Sequence, residues 1–204
     1  KPDEYGILKG KYMYLPVSLH KRHLSGVYYI KGDLMFGFGK KKAAAPTEST
    51  ATADIYVAPV TGEYLPLSEV SDPVFSQGVM GDGYAVNPTS NMIVAPAAGT
   101  IALIQDTMHA FMLRTDNGGE VLVHIGIDTV DLNGEGFTSH AKVGDKVEAG
   151  APIIEVDWEA IKDRIPSKET MVMVTNTPKF NIVKDSEERR TVNAGDHVAE
   201  ATKK

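Results

Sequence analysis

Residues 106–130 read DTMHAFMLRTDNGGEVLVHIGIDTV. Two apolar, β-prone runs flank a polar break, Asp116-Asn117-Gly118-Gly119, and this pattern predicts a hairpin. A four-residue loop sets Thr115 opposite Glu120, Phe111 opposite His124 and His109 opposite Gly126. Strand side chains alternate with period two, so His109 and His124 fall on one face as diagonal neighbours, about 7–8 Å apart. A loop two residues shorter sets them directly opposite, whereas a one-residue bulge separates them. Phe111, Leu113 and Leu122 share the histidine face, and Val121, Val123, Ile125 and Ile127 form the other. Both faces are largely apolar, so one is expected to be covered by a partner rather than by the domain itself.

Two adjacent imidazoles suit three roles. They can be core side chains with satisfied hydrogen bonds. They can bind a metal such as zinc, since neutral imidazole is a common ligand. They can also handle a phosphoryl group: one ring nitrogen attacks while the second imidazole donates to the phosphoryl oxygens. The residues alone leave these open.

Length and composition narrow the class. The 204 residues suffice for one sizeable core. Cysteine is absent, which excludes disulfides, thiolate metal sites and cysteine nucleophiles. No apolar run approaches the roughly 20 residues of a membrane span, and no apolar signal segment opens the chain; a cytoplasmic location is expected. Residues 1–42 carry nine Lys/Arg against three Asp/Glu, and the remainder carries twelve against twenty-four. An acidic body argues against nucleic acid and favours a basic protein surface.

Along the chain, 1–34 shows no periodicity. Lys31-Gly32-Asp33-Leu34 can be encoded by a purine-rich ribosome-binding sequence just before Met35, so 1–34 is expected to be leader, the rival reading being a vestigial linker from an upstream domain. Residues 35–53 hold a basic-aromatic segment, MFGFGKKK, then an Ala/Thr/Ser/Pro tether. The folded domain is expected over 54–204. V-A-P-x-x-G occurs at Val57 and again at Val94, and VGDKV at 143–147 echoes AGDHV at 194–198. The Gly-Asp pairs read as hairpin turns. Short strands with Gly and Pro punctuation predict an all-β antiparallel sandwich or barrel, built from two related halves with one or two short helices. Pro73 suits a first helical position. Residues 157–165, DWEAIKDRI, show helical spacing ended by Pro166. His20 and His23 fall in the leader and His140 and His197 in turns, and none is assigned chemistry.

HAF at 109–111, VHIGIDTVDLNGEGF at 123–137, GDGYAVNPTSNMIVAPAAGTI at 81–101 and the ending around Gly195-Asp196 strongly resemble the glucose-type IIA component of the bacterial sugar phosphotransferase system. The resemblance runs from about Asp54 to Lys203. It implies a phosphohistidine carrier in which His124 is the phosphorylated nucleophile and His109 the phosphoryl stabiliser, with Thr107 helping to orient His109. The Gly126 carbonyl is expected to hold the other nitrogen of His124. The family's Phe-Gly-Ile-Asp reads Ile125-Gly126-Ile127-Asp128 here, which keeps the apolar character. Asp72, Val74, Phe75 and Val79 are expected on the docking rim, together with Phe111, Leu122, Asp128 and Val130; Asp128 would meet a partner's arginine.

The implied partners are the phosphocarrier HPr and the IIB domain of a sugar permease, with the chain either free-standing or cut from a larger permease. The alternative is a regulatory binding module whose histidine face holds transporters or metabolic kinases when unphosphorylated. Phosphorylation adds roughly two negative charges and would release them. No cofactor is expected, although the two histidines could share an adventitious or regulatory zinc. Biotinyl and lipoyl carriers and some zinc peptidases share the strand-turn style, but no carrier lysine sits on a turn and no H-x-H pattern supplies a third ligand.

Overall fold

The computed structural model describes residues 53–204. The expected leader and nearly all of the tether lie outside the described residues. The strands, in order, are β1 (Ala53–Val57), β2 (Gly62–Pro66), β3 (Asp82–Pro88), β4 (Met92–Val94), β5 (Gly99–Ile104), β6 (Ala110–Arg114) and β7 (Glu120–Ile127). There follow β8 (Phe137–Ser139), β9 (Lys146–Val147), β10 (Pro152–Val156), β11 (Ser167–Val174), β12 (Phe180–Lys184), β13 (Arg190–Val192) and β14 (His197–Lys203). Every pairing is antiparallel. The expected antiparallel all-β sandwich is borne out.

The expected duplication is visible in the topology. One sheet runs β13-β2-β3-β11-β7-β6-β5-β9, and the three-stranded sheets run β1-β14-β12 and β4-β10-β8. Exchanging β2 with β5, β3 with β6, β11 with β7 and β13 with β9 reverses the large sheet onto itself. The V-A-P-x-x-G segments explain this. Val57 N–H donates to the Pro96 carbonyl at 2.8 Å, and Val94 N–H donates to the Pro59 carbonyl at 2.7 Å, so each copy closes on the other. The glycine that ends each copy lies against the next strand: a Cβ on Gly62 would stand 2.1 Å from the Asn87 carbonyl oxygen, and one on Gly99 2.3 Å from that of Arg114.

The second repeat is corrected. The true partner of 192–198 is 147–153, since Val192 pairs with Gly62 as Val147 pairs with Gly99. Ala58 exchanges hydrogen bonds with Gly195 and Asp196 just as Ala95 does with Gly150 and Ala151. Nor is the turn at Gly195-Asp196 a hairpin, because it passes the chain from β13 in the large sheet to β14 in a three-stranded one.

The two faces of the large sheet differ. Tyr64, Tyr84, Val86, Phe111, Leu113, Val121, Val123, Ile125 and Val172 enter the main core with Ile93, Ile153, Ile154 and Trp158. The opposite face buries a smaller layer containing Leu65, Ala85, Leu122, Met171 and Met173. Helix α1 (Pro73–Ser76) has Pro73 in its first turn and is capped by Asp72, whose carboxylate accepts from the Val74 N–H at 2.7 Å. Helix α2 (Trp158–Ile161) is shorter than the nine-residue pattern predicts. Asp157 caps it, and a 3-10 turn at Lys162–Arg164 replaces its second half. Trp158 and Ile161 are buried as expected.

The hairpin register departs from the four-residue reading. Arg114 faces Glu120, Ala110 faces His124, and Thr115 N–H donates to the Gly119 carbonyl at 2.9 Å. The loop is therefore three residues, Asp116–Gly118, with Gly118 at φ 88°. Asp54 on β1 holds it there: its carboxylate accepts from the Thr115 hydroxyl at 2.7 Å and the Asn117 side-chain amide at 3.0 Å.

Candidate active site

His124 sits in β7 between Ala110 of β6 and Met171 of β11. Leu122 and Met171 are buried on the same face, and the Phe75 ring of α1 lies 4.8 Å from the imidazole, centroid to centroid. Two residues on, Gly126 has φ 72°. This left-handed backbone brings the Gly126 carbonyl to 2.9 Å from His124 Nδ1. A side chain cannot be accommodated there, since a Cβ would stand 2.6 Å from Thr129 Cγ2. With Nδ1–H donated to that carbonyl, Nε2 carries the lone pair.

His109 lies just before β6 and is 5 % exposed. Its ring meets that of His124 edge-on at 5.2 Å. The Thr107 hydroxyl is 2.5 Å from His109 Nδ1. When the hydroxyl donates, Nε2 of His109 carries the proton. Burial pushes the His124 pKa down to about 4, assisted by the charge His109 would carry; the Gly126 carbonyl and the Asp128 carboxylate oppose the shift. Burial also lowers the His109 pKa. Both imidazoles are thus held neutral near pH 7, His124 with a lone pair on Nε2 and His109 with a proton there.

The paired histidines are close, but not by strand alternation. In the observed register, His109 has the parity of Phe111, which points away from His124. His109 escapes this because the chain turns at 105–110, where Met108 N–H donates to the Gln105 carbonyl and Gln105 N–H to that of Ala110. Met108 itself has φ 55°.

The structure therefore corrects the docking face. Phe111 is opposite Val123, fully buried in the main core, and not on the histidine face. Leu122 is on that face but lies beneath it, 1 % exposed. Met112, which pairs with Leu122, is the half-buried side chain of β6 on that face. Only the register reveals it; the apolar pattern of both strands is blind to it. Asp72 and Val74 are half-buried at the start of α1, and Phe75 is buried against His124. Asp128 and Val130 are half-buried where the chain leaves β7, Asp128 at φ 60°. Val79 is 72 % exposed and lines a cleft with Leu67, Ser76, Asp82 and Lys184. Among the described residues, no group of three or more His, Cys, Asp or Glu could hold a metal. Nor is any helix among them long and apolar enough to cross a membrane.

An antiparallel sandwich that packs two neutral, hydrogen-bonded histidines ring to ring, one buried and one half-buried, is the frame of a phosphohistidine carrier. Residues 54–180 match the family described as phosphoenolpyruvate-dependent sugar phosphotransferase system, EIIA 1, and the chain belongs to it. It is a phosphotransferase component that carries a phosphoryl group in sugar transport by way of histidine. The glucose-specific EIIA component of Oceanobacillus iheyensis is 42 % identical over 146 residues, covering 72 % of this chain and 86 % of that one. The mannose-specific EIIBCA component of Corynebacterium glutamicum is 45 % identical over 138 residues, 68 % of this chain but 20 % of that longer protein. The solved glucose permease IIA of Mycoplasma capricolum superposes with a TM-score of 0.66 at 36 % identity, covering 72 % of this chain and 95 % of that one.

Proposed function

We propose that Nε2 of His124 takes the phosphoryl group from the phosphohistidine of an HPr protein and hands it to the IIB domain of a sugar permease. The relatives of similar length are named for glucose, which supports a hexose of that class as the cargo of the pathway. The observation that carries the reading is the Gly126 carbonyl on His124 Nδ1. It fixes the tautomer and leaves Nε2 unprotonated.

In the incoming step, the phosphorus–nitrogen bond of the donor breaks as one to His124 Nε2 forms. Neither reacting nitrogen needs a metal or cofactor, so the protein contributes position and charge stabilisation. His109 Nε2–H donates to the phosphoryl oxygens, and the Thr107 hydroxyl keeps that tautomer by donating to Nδ1. Asp128 and Asp72 at the edge of the site suit encounter with a basic partner. The chain acts in the cytoplasm, where phosphoenolpyruvate is made. The test is labelled phosphoenolpyruvate with the general phosphotransferase enzymes: acid-labile label should appear on this protein and on its His109→Gln variant, and never on His124→Ala. Label on His124→Ala would overturn the assignment.

A further inference from the structure

The geometry points to Met108 as a positioning residue: its left-handed backbone turns His109 out of the strand alternation and delivers the ring to His124. This rests on the reading of the histidine pair as the phosphoryl site. Four observations carry it. Met108 has φ 55°, one of three positive-φ residues other than glycine among the described residues. In the register of β6 and β7, an extended residue at 109 would share the face of Phe111 and enter the core. The rings are nevertheless 5.2 Å apart. Finally, the other half of the molecule lacks this turn, and its equivalent residue stays in the strand.

The last point follows from the duplication. Gly62 lies against Asn87 and Gly99 against Arg114, so Asn87 and Arg114 are equivalent. Counting back along β3 and β6, Asp82 corresponds to His109 and Gly81 to Met108. Gly81 also has positive φ, at 123°. There glycine is obligatory, because a Cβ would stand 2.3 Å from the Val174 carbonyl oxygen. At 108 φ is 55°, in a residue that rarely adopts a positive value, and here the residue that follows leaves the strand whereas Asp82 does not. The Met108 side chain is half-buried against the core, and its Cε would lie 3.4 Å from a Cβ placed on Gly134. That packing compensates for the unfavourable backbone.

The test compares Met108→Gly, Met108→Ala and Met108→Val. Glycine and alanine both remove the packing on Gly134 and differ in their tolerance of positive φ; valine tolerates it least. The readouts are transfer from labelled protein to a IIB domain, the rate of labelling by HPr, and two signals independent of function. These are the ring-to-ring nuclear Overhauser contact and the titration of His109 by NMR.

The expected order of outgoing transfer is Gly above Ala by about tenfold, as the cost of left-handed backbone in a residue with a Cβ implies, with Val lower still. Labelling by HPr should change far less, as for loss of His109 alone. In the Val variant the ring contact should weaken and the His109 pKa should climb back toward 6.5. Equal transfer by Gly and Ala, or an intact ring contact in Val, overturns the proposal. Should Val fail to fold, the Gly–Ala pair decides. Should His124 prove not to be phosphorylated at all, the ring contact and titration still decide whether Met108 sets the pair.

Discussion

At one end of the eight-stranded sheet His124 stands opposite Ala110, and at the other end Met173 stands opposite Gly83. The duplication makes these positions equivalent, and His109 then corresponds to Asp82. The register is shared, but Asp82 stays in its strand and His109 leaves it. The contents also differ. At the histidine end two neutral imidazoles are packed together and one nitrogen is left with a lone pair. At the other end Met173 is wholly buried, and Asp82 is paired with Lys184 at 3.2 Å. That ion pair occupies the strand end where the other half places its histidines. A symmetric scaffold thus provides two strand ends in one register, while chain course and side-chain chemistry decide which of them reacts.

The largest test of this contrast is to empty one end and fill the other. His124→Ala should abolish acid-labile labelling. Met173→His puts an imidazole at the equivalent position and should acquire no label, because that position is wholly buried and closed to a phosphoryl donor. Labelling of Met173→His in a His124→Ala background would show that position alone suffices. His109→Gln should keep its label yet pass it to a IIB domain slower by about 10²–10³-fold, equivalent to roughly 2.7–4 kcal/mol. An unchanged rate would reduce His109 to a neighbour.

A third test uses pH. The unfolded chain binds a proton at His124 near the ordinary value of 6.5, and the folded chain only near about 4. Between these values the unfolded state holds more protons. Stability is therefore full above about pH 6.5 and falls as the pH drops toward 4, by on the order of 3 kcal/mol for this residue. His109 acts in the same direction. Denaturant melts at pH 7.5 and 4.5 should show a smaller loss in His124→Ala; an equal loss would place the acid sensitivity elsewhere.

Smaller effects come from the supports. Gly126→Ala forces a Cβ into Thr129 at positive φ and should cost about 2 kcal/mol. It should also release the His124 tautomer, visible in the ring nitrogen shifts. Asp54→Ala removes two hydrogen bonds from the 116–118 loop and should cost about 1–2 kcal/mol. Its hydrogen exchange should rise in the β6–β7 hairpin and leave β3–β11, which has no such clamp from Asp54, unchanged.

The sequence by itself determined the class of fold and the chemistry. Alternating apolar residues with Gly and Pro punctuation permit little but short antiparallel strands, and V-A-P-x-x-G written twice announces two halves. Pro73 and Asp157 placed the two short helices. His109 and His124 were legible as a pair because one hairpin holds both. The tertiary structure decided how they meet. A strand has period two, so a single-residue slip inverts every face. The three-residue loop that fixes the slip is held by Asp54, on a strand 61 residues away from Thr115, and the apolar pattern of the hairpin does not contain that contact. That slip sends Phe111 into the core and brings Met112 to the site face. The left-handed turn at Met108 then restores what the register would have taken away. A backbone state of that kind belongs to the neighbours that hold it, here the Gln105–Ala110 turn and Gly134, and not to the residue that adopts it.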